Sequence, residues 1–269
     1  MTTTYLFPQP KHLTATGGTL KLTTPIILAS EETILAAQKL RDALIKCGIE
    51  ADVSTESRIV GNGDILLAID RNEVSHADGY RLDVSARDIR IIGHDAAGVF
   101  YGAATLRQLL ALHRDGALPR LHIEDWPDFP KRGVLLDVSR DKVPTLATLR
   151  ALIDQLADWK INQLQLYMEH TFAYAGHEIV WRDVDPYTAA DVQALDAYCR
   201  ERHIELVPSQ NSFGHMNRWL IHEEYQHLAE CVAGIDHPFS KQPEPFGLCP
   251  TDPACLEFLS GLYDQLLPN

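Results

Sequence analysis

Apolar residues fall into two regimes, one on either side of a short segment rich in proline and aspartate. In the first, Thr19–Leu28 and Ile65–Ala68 carry β-branched and aliphatic residues bounded by Gly, Pro or Asp, which predicts strands. Between them, Ile34, Leu35, Leu40, Leu44 and Ile45 recur at helical spacing over Glu31–Cys47, with Ser30 placed to cap that helix and Gly48 to end it. Gly79–Val84 and Asp88–Ile92 predict two strands of a meander. Gly93–Gly98 is a turn, and Val99–Leu112 an apolar helix with Ala103 and Ala104 on a tight-packing face. Leu118–Ile123 predicts a last edge strand. Asp125–Pro130 then places two prolines and two aspartates within six residues, the best linker in the chain.

Beyond the linker the rhythm changes. Gly133–Val138, Ile161–Tyr167 and Ile204–Pro208 are short apolar runs, read as strands buried on both faces. Helix patterns over Thr145–Trp159 and Thr188–Arg202 separate them. A further helix is predicted around Trp219–Ala229, and an amphipathic one over Pro253–Leu267. Strand–helix–strand order at this spacing predicts parallel βα units. The expected class is therefore α/β: a small α+β domain over residues 1–125, then three βα units over 126–269.

The connections are asymmetric. Helix-to-strand links shrink to Lys160 and to His203, whereas the post-strand segments are long: 137–143, 168–183 and 209–219. They gather carboxylates, His, Asn, Gln, aromatics and charge. In (β/α)8 barrels the active site is built from the loops that follow the strands. Asp137, Glu169, His170, His177, Gln210, Asn211 and His215 sit in these segments or at their mouths, and Arg132 immediately precedes the first strand. Arginine can grip neighbouring hydroxyls with two parallel hydrogen bonds, and a His beside a carboxylate can be held protonated. Structural readings stand beside these: Arg132 and Asp137 pairing with neighbouring strands, the histidines solvated or satisfied in the core. Phe172, Tyr174, Trp181, Phe213 and Trp219 can stack on sugar rings or simply fold the long loops.

Charge and cysteine content narrow the partners. Asp plus Glu number 37 against 24 Lys plus Arg, a formal charge of −13, so nucleic acid is not an expected partner. No apolar run approaches the length of a membrane span, so no membrane partner is expected either. Met1–Pro10 has no basic stretch followed by an apolar one, and the five cysteines form no CxxC pair; both suggest a reduced, cytoplasmic protein, the alternative being a mature chain whose signal has been removed. Twelve histidines invite a metal reading. In His222–His227, however, the two are five apart, whereas a zincin helix needs four. No metal and no cofactor are expected.

Residues 128–170, DFPKRGVLLDVSRDKVPTLATLRALIDQLADWKINQLQLYMEH, resemble the opening of the catalytic domain of glycoside hydrolase family 20, the β-N-acetylhexosaminidases. VPSQNSFGHM (207–216) is similar to that family's Val-Pro-Glu-Ile-Asp-Met-Pro-Gly-His segment. LCPTDPACLEFLSGLYDQLLP (248–268) is similar to its Leu-Cys helix, and GHDAAGVFYGAATLRQLL (93–110) to the end of its small first domain. The resemblance implies a partner, a glycan ending in N-acetylglucosamine or N-acetylgalactosamine. It implies that Arg132 binds sugar hydroxyls, with His170, Gln210 and Asn211 also on the substrate. Glu169 and His215 would support a general acid. It further implies substrate-assisted catalysis, in which the acetamido oxygen attacks its own anomeric carbon. The Asp-Glu pair this needs belongs to a fourth strand, expected beyond Asn269.

A (β/α)8 barrel takes ~200–250 residues, whereas Lys131–Asn269 supplies 139. The chain is therefore expected to be an incomplete TIM-type barrel, inactive alone and completed by the missing barrel half or by association with another copy. The alternative is a non-catalytic carbohydrate-binding or assembly module closed by a partner chain.

Overall fold

The computed structural model describes residues 5–140, 142–236 and 241–267. The chain separates into two compact units. One comprises residues 1–132 with 154–161 and 201–203; the other comprises 133–153, 162–200 and 204–269.

The first unit is built on a seven-stranded mixed sheet. Its strands are β1 (His12–Lys21), β2 (Ile26–Leu28), β3 (Asp52–Ser54), β4 (Ile65–Ile69), β5 (Tyr80–Val84), β6 (Ile89–Gly93) and β7 (Ala117–Asp125). Their order is β1-β7-β5-β6-β4-β2-β3. The β1/β7, β7/β5 and β5/β6 pairs are antiparallel, and the other three pairs are parallel. The strand expected at the edge, β7, is interior, because β1 pairs along its outer side. Almost every residue of β1 is exposed, so its first half carries no hydrophobic signal. The strand expected over 19–28 is divided between β1 and β2, and Pro25, which has no N–H to give a ladder, falls in the gap.

Helices α1 (Ile34–Lys46) and α2 (Ala96–Leu112) pack on each other, and α2 packs on β5 and β6. This close approach is set by glycine: a Cβ on Gly98 would lie 2.1 Å from the Gly79 carbonyl oxygen. Asp95 caps α2 by accepting a hydrogen bond from Gly98 N at 2.8 Å.

The second unit holds a three-stranded parallel sheet, β8 (Gly133–Asp137), β9 (Gln163–Met168) and β10 (Glu205–Gln210), in the order β10-β9-β8. Helix α3 (Leu146–Asp158) joins β8 to β9, its last turn belonging to the first unit. The short α4 (Glu178–Trp181) and then α5 (Ala189–Arg200) lie between β9 and β10. After β10 come α6 (Asn217–Leu220), a 3-10 segment over Glu223–Leu228, and α7 (Pro253–Leu266). The single helix expected near 219–229 is thus two pieces, broken where His222 takes an extended conformation. Its buried residues, Tyr225 and Leu228, are three apart, the repeat of a 3-10 turn.

Burial on both faces does not hold for these strands. Along β9 only Leu164, Leu166 and Met168 are buried, and Gln163, Gln165 and Tyr167 alternate with them on the other face. In β8, the terminal strand, Leu135 is 56% exposed. Leu149 and Ile153 of α3 and Val192, Leu195 and Cys199 of α5 are buried in the core of this unit, where α5 packs on β10.

Three helices end alike. Beyond α1, Gly48 adopts φ +76° and Ile49 N donates to Leu44 O at 3.0 Å. Beyond α3 and α5 the same left-handed position is held by Lys160 (φ +62°) and His203 (φ +57°), with Ile161 N donating to Leu156 O and Ile204 N to Cys199 O, both at 3.0 Å. An L-residue there costs roughly 1–2 kcal/mol. Side-chain contacts within the first unit offset it: Lys160 Nζ lies 2.7 Å from Asp125 Oδ2, and the His203 ring meets Phe100 edge-on at 5.3 Å.

Candidate active site

Because β8, β9 and β10 run the same way, the segments leaving Asp137, Met168 and Gln210 start at one end of the sheet. Asp137 accepts hydrogen bonds from Ser139 N (3.0 Å), Arg140 N (3.1 Å) and Arg140 Nε. Burial raises its pKa, but these bonds outweigh burial and hold it below the usual carboxylate range. The Arg140 guanidinium lies over the Tyr167 ring, 5.1 Å from its centroid.

Tyr167 is the hub. Its hydroxyl donates to Glu169 Oε1 at 3.1 Å and accepts from Asn211 Nδ2 at 3.0 Å. Its pKa is raised, first by burial and then, against the Asn211 bond, by the Glu169 carboxylate, so the phenol stays protonated. Asn211 Nδ2 also reaches the His215 carbonyl at 3.2 Å. His215 sits in the left-handed region (φ +57°), its ring 4.7 Å from Phe246 and 6.4 Å from Tyr167. Beneath the cluster, the Glu169 carbonyl accepts from Trp219 Nε1 at 2.8 Å and Gln210 Nε2 at 3.3 Å. Arg140, Tyr167, Asn211 and His215 thus form one polar surface of a cation, a phenol, an amide and an imidazole, and the Glu169 carboxylate, in a residue only 4% exposed, is held against it by Tyr167 above a hydrogen-bonded floor. Such a set can grip several hydroxyls of a neutral polar ligand at once.

The sequence-predicted residues fare differently. Glu169, Asn211 and His215 are brought together. Arg132 is not: it precedes the N-terminal residue of β8, and a five-residue strand puts about 16 Å between the two ends. Its donors are also taken, by Lys160 O (2.7 Å), Phe129 O (2.9 Å), Pro130 O (3.4 Å), Asp78 Oδ2 (3.1 Å) and Tyr101 OH (3.3 Å). Gln210 is buried, with Oε1 accepting from Tyr174 OH at 2.8 Å and Nε2 on two carbonyls, so it braces the floor rather than facing a ligand. A histidine beside a carboxylate can be held protonated, but His170, next to Glu169, is not so placed. Burial, with Arg218 adding to it, instead lowers its pKa to about 4, and its Nδ1 has no hydrogen-bond partner among the described residues.

Glu169 and His215 do not form a dyad, since the Glu169 carboxylate takes its bond from Tyr167. Phe172, Tyr174 and Trp219 are fully buried and fold the loops; Phe213 is exposed. His177, with Nδ1 2.7 Å from Tyr225 OH, is enclosed by Trp219, Tyr225 and Phe258. Arg140 and Tyr167 were missed, although strand direction gives the signal: Arg140 follows β8 in the first long segment, and Tyr167 lies on the open face of β9. Asp141 of that segment lies outside the described residues.

Residues 3–126 match the family model for glycosyl hydrolase family 20, domain 2, and residues 129–269 match the model for the family 20 catalytic domain. A β-hexosaminidase of Vibrio furnissii is 28% identical over 257 residues, spanning 82% of this chain and 41% of that protein. An N,N′-diacetylchitobiase of Vibrio harveyi is 30% identical over 171 residues, spanning 61% of this chain and 18% of that protein. The solved structure of a β-N-acetylhexosaminidase from Streptomyces coelicolor superposes with a TM-score of 0.79 at 25% identity, over 98% of this chain and 57% of that one. The chain therefore spans less than two thirds of each relative. With both family models together matching nearly its full length, the chain belongs to glycosyl hydrolase family 20.

Proposed function

We propose that the strand-end cluster is the sugar-holding part of a β-N-acetylhexosaminidase, receiving a terminal N-acetyl-β-hexosamine. The observation that carries this is the joint placement of Arg140, Tyr167, Glu169, Asn211 and His215 on one hydrogen-bonded surface. The names of the relatives supply the sugar class. On this reading the Arg140 guanidinium and the Glu169 carboxylate take adjacent ring hydroxyls, and Tyr167 fixes the orientation of Glu169. The three βα units are the first part of a (β/α)8 barrel, residues 126–269, preceded by the small domain of residues 1–125.

In the proposed reaction the substrate's acetamido oxygen attacks its own anomeric carbon while a carboxylic acid protonates the departing oxygen. None of the described strand-end carboxylates suits that acid. Asp137 is held ionised by its hydrogen bonds, and Glu169 has one oxygen engaged by Tyr167. Asp252 caps α7, accepting from Ala254 N at 2.9 Å. The Asp-Glu pair is accordingly assigned to a further strand that these residues do not include.

Hydrolysis of an aryl N-acetyl-β-glucosaminide tests this. The 269-residue chain is expected to show no enzymatic turnover, since a general acid alone contributes typically ~10²–10⁴-fold. Extension through an Asp-Glu strand is expected to bring turnover. Robust turnover by the present chain, abolished by Glu169→Gln, would overturn the assignment.

A further inference from the structure

The first unit contains a cavity of 530 Å³, within the size range of small-molecule sites, that the strand-end reading does not use. At its base is a buried network: Lys160 Nζ donates to Asp125 Oδ2 at 2.7 Å and Tyr80 OH at 3.0 Å, and Lys160 is only 8% exposed. An ammonium has three donors. The third N–H of Lys160 finds no acceptor among the described residues. Tyr101 is in the same state. Its buried hydroxyl accepts from Arg132 Nη2, while its own proton has no acceptor there. Asp78, on the same Arg132 nitrogen as Tyr101, gives it one carboxylate oxygen, and the other oxygen receives no side-chain or backbone donor among the described residues. Spare donor and acceptor capacity at these lining groups suits a polar ligand.

The rim is aromatic. Trp126 lines the cavity and is braced by His76, stacked at 4.4 Å with an interplanar angle of 8°. Phe129 and Trp159 also line it and are 72% and 43% exposed. Large exposed aromatics beside inward-facing polar groups are the pairing that pyranose rings demand, apolar on their faces and hydroxylated at their edges. Charge narrows the class further. Lys11, Arg132 and Lys160 on the lining are balanced by Asp78, Asp125 and Asp128. An anion gains no net positive charge here, and the chain carries −13 overall.

We infer that this cavity in the first unit is a second saccharide-binding site, separate from the strand-end cluster, that takes an uncharged mono- or disaccharide. Tyr101 and Lys160 donate to its hydroxyls, Asp78 accepts, and Trp126, Phe129 and Trp159 take the ring faces.

The test uses the whole chain, titrated with N-acetylglucosamine, N,N′-diacetylchitobiose and cellobiose, and with glucose 6-phosphate as a charged control. Binding is followed by tryptophan fluorescence and saturation-transfer NMR. At least one neutral sugar is expected to saturate, with glucose 6-phosphate weaker. Phe129→Ala and Trp159→Ala, both at exposed side chains and so compatible with folding, are expected to weaken that event at least about tenfold. Arg140→Ala is expected to leave it in place. No saturable neutral-sugar binding up to about 10 mM would overturn the inference. So would a single event that survives both aromatic substitutions and disappears with Arg140→Ala, an outcome that leaves the strand-end reading standing.

Discussion

Lys160→Met isolates the buried charge pair of the first unit. Methionine keeps the length and the left-handed backbone cost of position 160, so only the ammonium is lost. What remains is an Asp125 carboxylate, 8% exposed, whose donors are Tyr80 OH (3.2 Å) and Lys11 N (3.2 Å). Breaking a buried pair by removing one partner costs about 3–5 kcal/mol. The two surviving donors reduce this, so we expect about 2–4 kcal/mol.

The double variant Lys160→Met/Asp125→Leu removes both charges. Tyr80 OH then keeps Thr105 Oγ1, at 2.7 Å, as its partner. Burial, with Arg132 adding to it, lowers the Lys160 pKa against the opposing pull of Asp125, so the ammonium is less favoured here than in water, and its removal together with Asp125 is expected to cost about 1 kcal/mol or less. Urea unfolding followed by tryptophan fluorescence, with an unchanged m-value, reads both quantities. A single variant within about 1 kcal/mol of the native chain, or a double variant as costly as the sum of its parts, would refute the reasoning.

His170, ordinarily near 6.5, is lowered to about 4 in the folded chain, so the unfolded state binds the proton first. Stability is therefore full above pH 6.5 and falls as pH drops toward 4, by up to about 3 kcal/mol before solvent screening; His170→Gln is expected to flatten that slope in unfolding measured across pH. Gly98→Ala forces a methyl onto the Gly79 carbonyl and is expected to lower stability by about 2–3 kcal/mol in the same unfolding assay. Tyr167→Phe removes the hydroxyl that joins Glu169 to Asn211 and is expected to weaken N-acetylglucosamine binding at the strand ends about tenfold by calorimetry, with the circular dichroism spectrum unchanged.

Much of the architecture was legible in the residues, because helix periodicity and Gly or Pro punctuation act locally. Helices α1, α2, α3, α5 and α7 fall where apolar residues recur at helical spacing. Strand β1 was half invisible because an exposed strand such as HLTATGGTLK has no buried face to mark it. The same physics misled at β8, where GVLLD is apolar enough for two-sided burial while Leu135 stands exposed. For the site, the long post-strand segments located Glu169, Asn211 and His215, since loop composition is itself a sequence property. Choosing between Arg132 and Arg140 needed geometry. Both flank the same strand, and only the parallel pairing to β9, with the hydrogen bonds that occupy Arg132, separates the two ends of the sheet. The state of His170 likewise depends on burial that its neighbours in sequence do not reveal.

A crystal of the 269-residue chain soaked in N-acetylglucosamine tests the central claim most directly, because it locates the sugar independently of turnover. The expected result is a sugar ring at the C-terminal ends of β8–β10, with hydroxyls within hydrogen-bond distance of the Arg140 guanidinium and the Glu169 carboxylate, and no such density in Arg140→Ala. Strand ends that stay empty at saturating sugar, whatever binds in the cavity of the first unit, would contradict it.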